Sequence, residues 1–128
     1  MKEWIGTVTT GQGLGSVRMT REVLDVLRSE TGLEVLPGTL NLRLAEPVDE
    51  SLLPHYLEAG AIAPRWAEAT GQAGYRWVAV MIEGRVPGVA ARAIEPGYPE
   101  DLIEVVSGVH LRSELQLSDG DEVRLTIV

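Results

Sequence analysis

The 128-residue chain has no cysteine and no phenylalanine, and its charge leans heavily to one sign. The lack of cysteine excludes disulfides, thiolate chemistry and cysteine-ligated zinc. Without phenylalanine the core must rest on valine, leucine, isoleucine and alanine, helped by a few tryptophans and tyrosines. Eleven Lys and Arg stand against nineteen Asp and Glu, a net charge of −8. Such a surface repels a polyanion unless its basic residues cluster, so general DNA or RNA binding is not expected. The start, "MKEWIGTVTT", holds no apolar run long enough for a signal peptide, and no later stretch is long enough to span a membrane. The expectation is a soluble, cytoplasmic protein with no membrane partner.

Apolar residues make up 45% of the chain, which marks a folded protein. The length fits a single domain, residues 1–128, able to bury a core unaided. "KEWIGTVTT" is rich in β-branched residues and reads as a strand. "MTREVLDVLRSETG" reads as a helix capped by Thr20, with Val23, Leu24 and Leu27 on one face and Gly32 at its end. In "LPGTLNLRLAEP" a Pro-Gly turn precedes an alternation in which Leu40, Leu42 and Leu44 form the dry face of a strand. The proline-bearing stretch from Pro47 to Gly74 predicts short helical turns and loops. "YRWVAVMIEGRVPGVAARAIEP" predicts two strands joined near Glu83-Gly84-Arg85. "DLIEVVSG" predicts another strand, "HLRSELQL" a short helix, and "DGDEVRLTIV" a turn and a last strand. The sum is a mostly β domain of about six strands with a few helices, a small barrel rather than an open parallel sheet.

Four places can carry chemistry. "TGQGLGS" has glycine at every second position: Gly11, Gly13 and Gly15. It is either an ordinary flexible turn or a place where backbone amides converge on an anion. It is neither a P-loop nor a dinucleotide fingerprint. Thr39 and Asn41 sit two apart on a strand and point the same way, offering two neutral oxygens. That suits a magnesium ion whose other ligands are phosphates and water, but it also suits a solvated strand face. Glu104, in "LIEVV", is either a surface carboxylate or a group that binds substrate and acts as a general base. His110 and Arg112 open the short helix, where Arg can grip phosphate by two parallel hydrogen bonds. His55, in "LPHYL", shows no partner.

Together these pieces resemble the CTP-dependent riboflavin kinases best known from archaea. The resemblance runs in order through "GTVTTGQGLG", "LPGTLNLRL", "GYPEDLIEVV" and "HLRSELQLSDGDEVRLTI", and hardly touches Glu46 to Ala73. It implies a six-stranded cradle-loop β-barrel that transfers the γ-phosphoryl of CTP to the 5′-hydroxyl of riboflavin, giving FMN and CDP. It implies that Gln12, Gly13, Leu14, Gly15, Ser16 and Val17 line the nucleotide site together with Val109, His110, Leu111 and Arg112. It further implies that Thr39 and Asn41 hold magnesium (Mg2+), and that Glu104 contacts the flavin, with catalysis as its added role. The chain departs from the family in three places. "EPGYP" places Pro96 or Gly97 where a threonine usually meets the flavin phosphate. His110 replaces a lysine, and Leu14 an acidic residue. The altered loop leaves open a second reading, a catalytically weak barrel that binds nucleotide or flavin. The ending "LQLSDGDEVRLTIV" also looks like the half-barrel of swapped-hairpin DNA-binding regulators, against which length and acidity argue.

Overall fold

The computed structural model describes residues 2–10, 21–36, 39–58 and 74–128. Its elements are β1 (Glu3–Thr9), α1 (Arg21–Thr31), β2 (Leu40–Arg43), a 3-10 turn (Glu50–Leu52), β3 (His55–Glu58), β4 (Gly74–Ile82), β5 (Val86–Ile94), β6 (Leu102–Ser107), α2 (Leu111–Glu114) and β7 (Glu122–Ile127). No helix among the described residues is long and apolar enough to cross a membrane.

Every strand pairing is antiparallel, and the order is β3-β4-β5-β6-β2-β1-β7. A further pairing of β4 with β7, Ile82 opposite Leu125 and Val80 opposite Ile127, joins the sheet to itself. Six strands therefore form the expected closed barrel, and β3 is added outside the ring on β4. Alternation then sorts the side chains. Val8, Leu40, Leu42, Val80, Ile82, Ile103, Val105, Val123 and Leu125 fill the interior, each at most 4% exposed. Branched aliphatic residues suffice to fill so narrow a barrel without phenylalanine.

The outer face has its own apolar layer. Val23, Leu24 and Leu27 of α1 pack with Leu57, Tyr75, Trp77, Val89, Ala91, Ala93 and Val106. The helix follows the sequence pattern and ends as expected at Gly32, which has a φ of 74° and donates its N–H to Arg28 O at 2.8 Å. Thr20, its expected cap, lies outside the described residues. The hairpin between β4 and β5 also follows the sequence. Glu83 and Gly84 have φ values of 51° and 65°, the backbone of a primed turn, and Arg85 N–H donates to Ile82 O at 3.0 Å.

The structure corrects the reading of Pro47 to Gly74 in one place. The helical turn is present at Glu50–Leu52, but His55–Glu58 is a strand, with Leu57 opposite Tyr75. Only Leu57 of its four residues is buried, so no alternation could be seen in the sequence. His55, which showed no partner in the sequence, stacks on Trp77 with ring centroids 4.4 Å apart. Residues 59–73 lie outside the described residues.

Arg92 is the one buried cation among the described residues, and it points to the barrel's inner side two positions after Ala90. A buried charge is tolerated only when its donors are satisfied. Arg92 donates to Pro99 O at 2.8 Å, to Leu102 O at 2.6 Å and to Glu50 Oε1 at 3.2 Å. It thereby ties the end of β5 to the loop before β6 and to the 3-10 turn.

Gly88 tests how tightly the ring is drawn. A Cβ at this position would lie 2.7 Å from both Val106 O and Ile82 Cδ1. Gly88→Ala is expected to lower unfolding stability by about 1–3 kcal/mol, because backbone must move to admit it. The denaturant midpoint checks this, with the far-ultraviolet spectrum kept.

Candidate functional site

Antiparallel register builds the site on the outer face of the barrel. Asn41 of β2 lies directly opposite Glu104 of β6, and Glu104 lies opposite Ala91 of β5. Opposed residues share a face, so Asn41, Glu104 and Thr39, two positions before Asn41, stand together. Thr39 Oγ lies 3.4 Å from Asn41 Oδ1 and 3.4 Å from Glu104 Oε1. One hydroxyl proton cannot serve both acceptors, so the three oxygens form a cluster joined by long, shared contacts.

Glu104 is 3% exposed, which removes its reading as a surface carboxylate. The phenol of Tyr98 donates to Glu104 Oε2 at 2.7 Å. Burial, the nearby charge of Glu104 and the hydrogen bond to it push the Tyr98 phenol far above its ordinary value, so it keeps its proton. The Arg92 guanidinium carbon lies 5.0 Å from the centre of the Tyr98 ring.

A cleft of about 190 Å³ opens beside this cluster. Thr39 and Leu40 form one wall, and Val109, His110, Leu111 and Arg112 form another. Ser107 begins the second wall: its Oγ donates to Val109 O at 2.8 Å and accepts from Val109 N–H at 3.2 Å. This local turn swings the chain from β6 into α2. Leu111 is buried in the barrel core and anchors the wall. His110 Nδ1 lies 3.0 Å from Ser113 Oγ.

Arg112 is held at its far side. Its Nη2 donates to Asp119 Oδ1 at 2.7 Å, and Thr10 Oγ donates to Asp119 Oδ2. The backbone closes the same junction, with Gly120 N–H donating to Val8 O and Val8 N–H to Asp121 O, both at 2.8 Å. The Asp-Gly-Asp turn thus binds the end of β1, where the glycine stretch begins, to the Arg112 wall. Hydrogen bonds from Thr10 and then Arg112 hold the Asp119 carboxyl below the usual aspartate value.

The structure therefore brings Thr39, Asn41 and Glu104 together and sets Thr39 in one cleft with Val109, His110, Leu111 and Arg112. Pro96 is exposed on the loop that carries Tyr98, and has no side-chain hydroxyl to offer. Gln12, Gly13, Leu14, Gly15, Ser16 and Val17 lie outside the described residues. Sequence reasoning gave no role to Tyr98 or Asp119, although both sit inside motifs it quoted. Magnesium suits the donors present, since Thr39 and Asn41 supply hard oxygens within reach of one small cation. Among the described residues no group of three His, Cys, Asp or Glu forms a metal cage, so such an ion would need oxygens beyond those of Thr39 and Asn41.

A family model of the CTP-dependent riboflavin kinase domain, described as a domain of unknown function, DUF120, matches residues 8–127. Riboflavin kinase from Aeropyrum pernix is 34% identical over 126 residues, which cover 96% of this chain and 93% of that protein. The chain belongs to the CTP-dependent riboflavin kinase domain family. Riboflavin kinases from Methanocella arvoryzae and Methanococcoides burtonii are 37% and 34% identical over 95% and 98% of this chain. The chain spans 55% and 56% of those two longer relatives. This member of the family has a closed barrel with Thr39, Asn41 and Glu104 clustered on its outer face, and its loop before β6 has Pro96 and Gly97.

Asp119 yields a pH test. Its folded value is depressed below 3.8, so its contribution to stability is present above that pH and is lost as pH falls through the folded value. Asp119→Asn is expected to lower the melting temperature at pH 7 and to flatten its fall below about pH 4. Thermal melts of both proteins between neutral and acid pH check this; parallel curves would contradict it.

Proposed function

We propose that this chain is a riboflavin kinase that transfers the γ-phosphoryl of CTP to the 5′-hydroxyl of riboflavin, giving FMN and CDP. The observation that carries the reading is the adjacency of a buried carboxylate, Glu104, to the oxygens of Asn41 and of Thr39, which also lines the cleft walled by Val109 to Arg112. Phosphoryl transfer needs an acceptor hydroxyl, a charge-neutralising centre and a phosphate grip close together, and depends mostly on positioning.

In this reading riboflavin lies on the Glu104 side and CTP lies in the cleft. The 5′-oxygen bonds to the γ-phosphorus as the bond to the β-phosphate bridging oxygen breaks. The hydroxyl proton passes to the Glu104 carboxylate, and CDP leaves with the bridging oxygen. Thr39 and Asn41 would hold magnesium, which when bound neutralises charge on the phosphates. Arg112 has donors beyond the one spent on Asp119, and these can reach phosphate oxygens. Val109, His110 and Leu111 shape the wall against the nucleotide. Gln12 to Val17 join the nucleotide site in this reading on the strength of sequence alone. Pro96 would meet the flavin without a hydrogen bond, which supports the second reading, a barrel that binds the ligands and turns them over weakly or not at all.

Incubation with riboflavin, magnesium and each of CTP, ATP, GTP and UTP, followed by chromatography for FMN, tests the proposal. FMN with CTP well above the other three is the expected result. Binding of riboflavin without FMN from any triphosphate favours the binding module. Glu104→Gln is expected to lower the maximal rate by about 10²-fold with modest change in riboflavin affinity, if Glu104 takes the proton. Asn41→Ala is expected to remove most turnover with little change in melting temperature. A wild-type rate for Asn41→Ala at limiting magnesium would remove Asn41 from the metal site.

A further inference from the structure

The loop between β5 and β6 does more than connect them. Gly97 has a φ of 77°, a conformation that favours glycine, and Tyr98 N–H donates to Glu95 O at 3.3 Å. This tight turn sends the Tyr98 side chain back over β6. Arg92 lies against the ring and bonds the carbonyls of Pro99 and Leu102 on either side of the loop's end. The ring is thus braced from below, and its hydroxyl meets Glu104 Oε2 at 2.7 Å. The other carboxylate oxygen, Oε1, is the one 3.4 Å from Thr39 Oγ.

We propose that Tyr98 is a positioning residue for the kinase reaction: by donating to Oε2 it fixes the Glu104 carboxylate so that Oε1 is the oxygen presented on the Thr39 and Asn41 side, where the acceptor hydroxyl of riboflavin must lie. The choice of donor matters. An arginine at this place would hold the carboxylate by a salt link and drain its negative charge. A phenol holds it by one neutral hydrogen bond and brings no formal positive charge of its own to that oxygen. Arg92 is near enough to stiffen the ring, yet it hydrogen-bonds two backbone carbonyls and Glu50. The inference rests on the proposed function and deepens it, since it names the group that orients the proposed base.

Tyr98→Phe tests it, because phenylalanine keeps the ring on Arg92 and removes only the hydroxyl. The maximal rate of FMN formation is expected to fall about 10- to 100-fold, the rate equivalent of one hydrogen bond to a charged group, with KM for CTP unchanged. A structural role alone would reduce the yield of folded protein or disturb both substrates, so melting temperature and both KM values are measured alongside. The deciding comparison repeats the substitution in Glu104→Gln. If Tyr98 acts through Glu104, adding Tyr98→Phe to Glu104→Gln lowers the rate little further. Equal losses in both backgrounds, or a wild-type rate for Tyr98→Phe alone, overturn the inference while leaving the kinase reading standing. A wild type that makes no FMN with any of the four triphosphates overturns the kinase reading and the inference with it.

Discussion

The whole arrangement depends on β4 pairing along both of its edges. β5 takes one edge, and β7 takes the other through Val80, Met81 and Ile82. That second pairing turns a meandering sheet into a ring, and a ring forces an inside and an outside on every strand. The inside is filled by aliphatic side chains. Everything with chemistry to offer is sent to the outside or to the ends. Leu40 and Leu42 face in, so Thr39 and Asn41 must face out. Ile103 and Val105 face in, so Glu104 must face out as well. The register of β2 against β6 then decides that these residues meet.

The outer face would ordinarily be wet, and a carboxylate there would be a weak partner. α1 and β3 change this by roofing much of the face with Leu24, Leu27 and Leu57, packed with Trp77 of β4. β6 becomes a strand buried on both sides, and Glu104 sits in a setting where a hydrogen bond carries more weight than on an open surface. The nearby charges are arranged in pairs. Arg112 leans on Asp119, Arg43 on Asp101 and Arg92 on Glu50. A chain of net charge −8 thus still offers local donors at the cleft.

Much of this was legible in the sequence, for a physical reason. The alternation of Leu40, Leu42 and Leu44, the helical spacing of Val23, Leu24 and Leu27, and the turn at Glu83-Gly84 are local signals, and local signals survive in one dimension. The family resemblance, and not the spacing, singled out Thr39, Asn41 and Glu104 together as candidate site residues, and the register sets them side by side. What stayed hidden depends on distant packing. Glu104 could not be told from a surface residue, because its burial comes from elements far away in the chain. β3 has a single buried residue and owes its existence to Gly74, where a Cβ would lie 2.1 Å from Leu57 O. Arg92, a charge on the inner side of a strand, runs against the pattern of "VAARA" and is explained only by carbonyls from the next loop.

Arg92, Tyr98 and Glu104 show how a single buried cation can serve a carboxylate it does not bind. A direct ion pair would satisfy both charges and leave neither available. Here the cation satisfies backbone carbonyls at the end of the barrel, and its flat face supports a phenol. The phenol in turn supports the carboxylate. Each step passes on position. Gly97 is what allows the sequence to place the tyrosine between the two, since a side chain at that φ would be strained. In the loop before β6 the exposed Pro96 and Gly97 precede the tyrosine that aims a hydroxyl at Glu104. Pro96 and Gly97 thus make the part of the loop that faces solvent, and Tyr98 the part that faces the carboxylate.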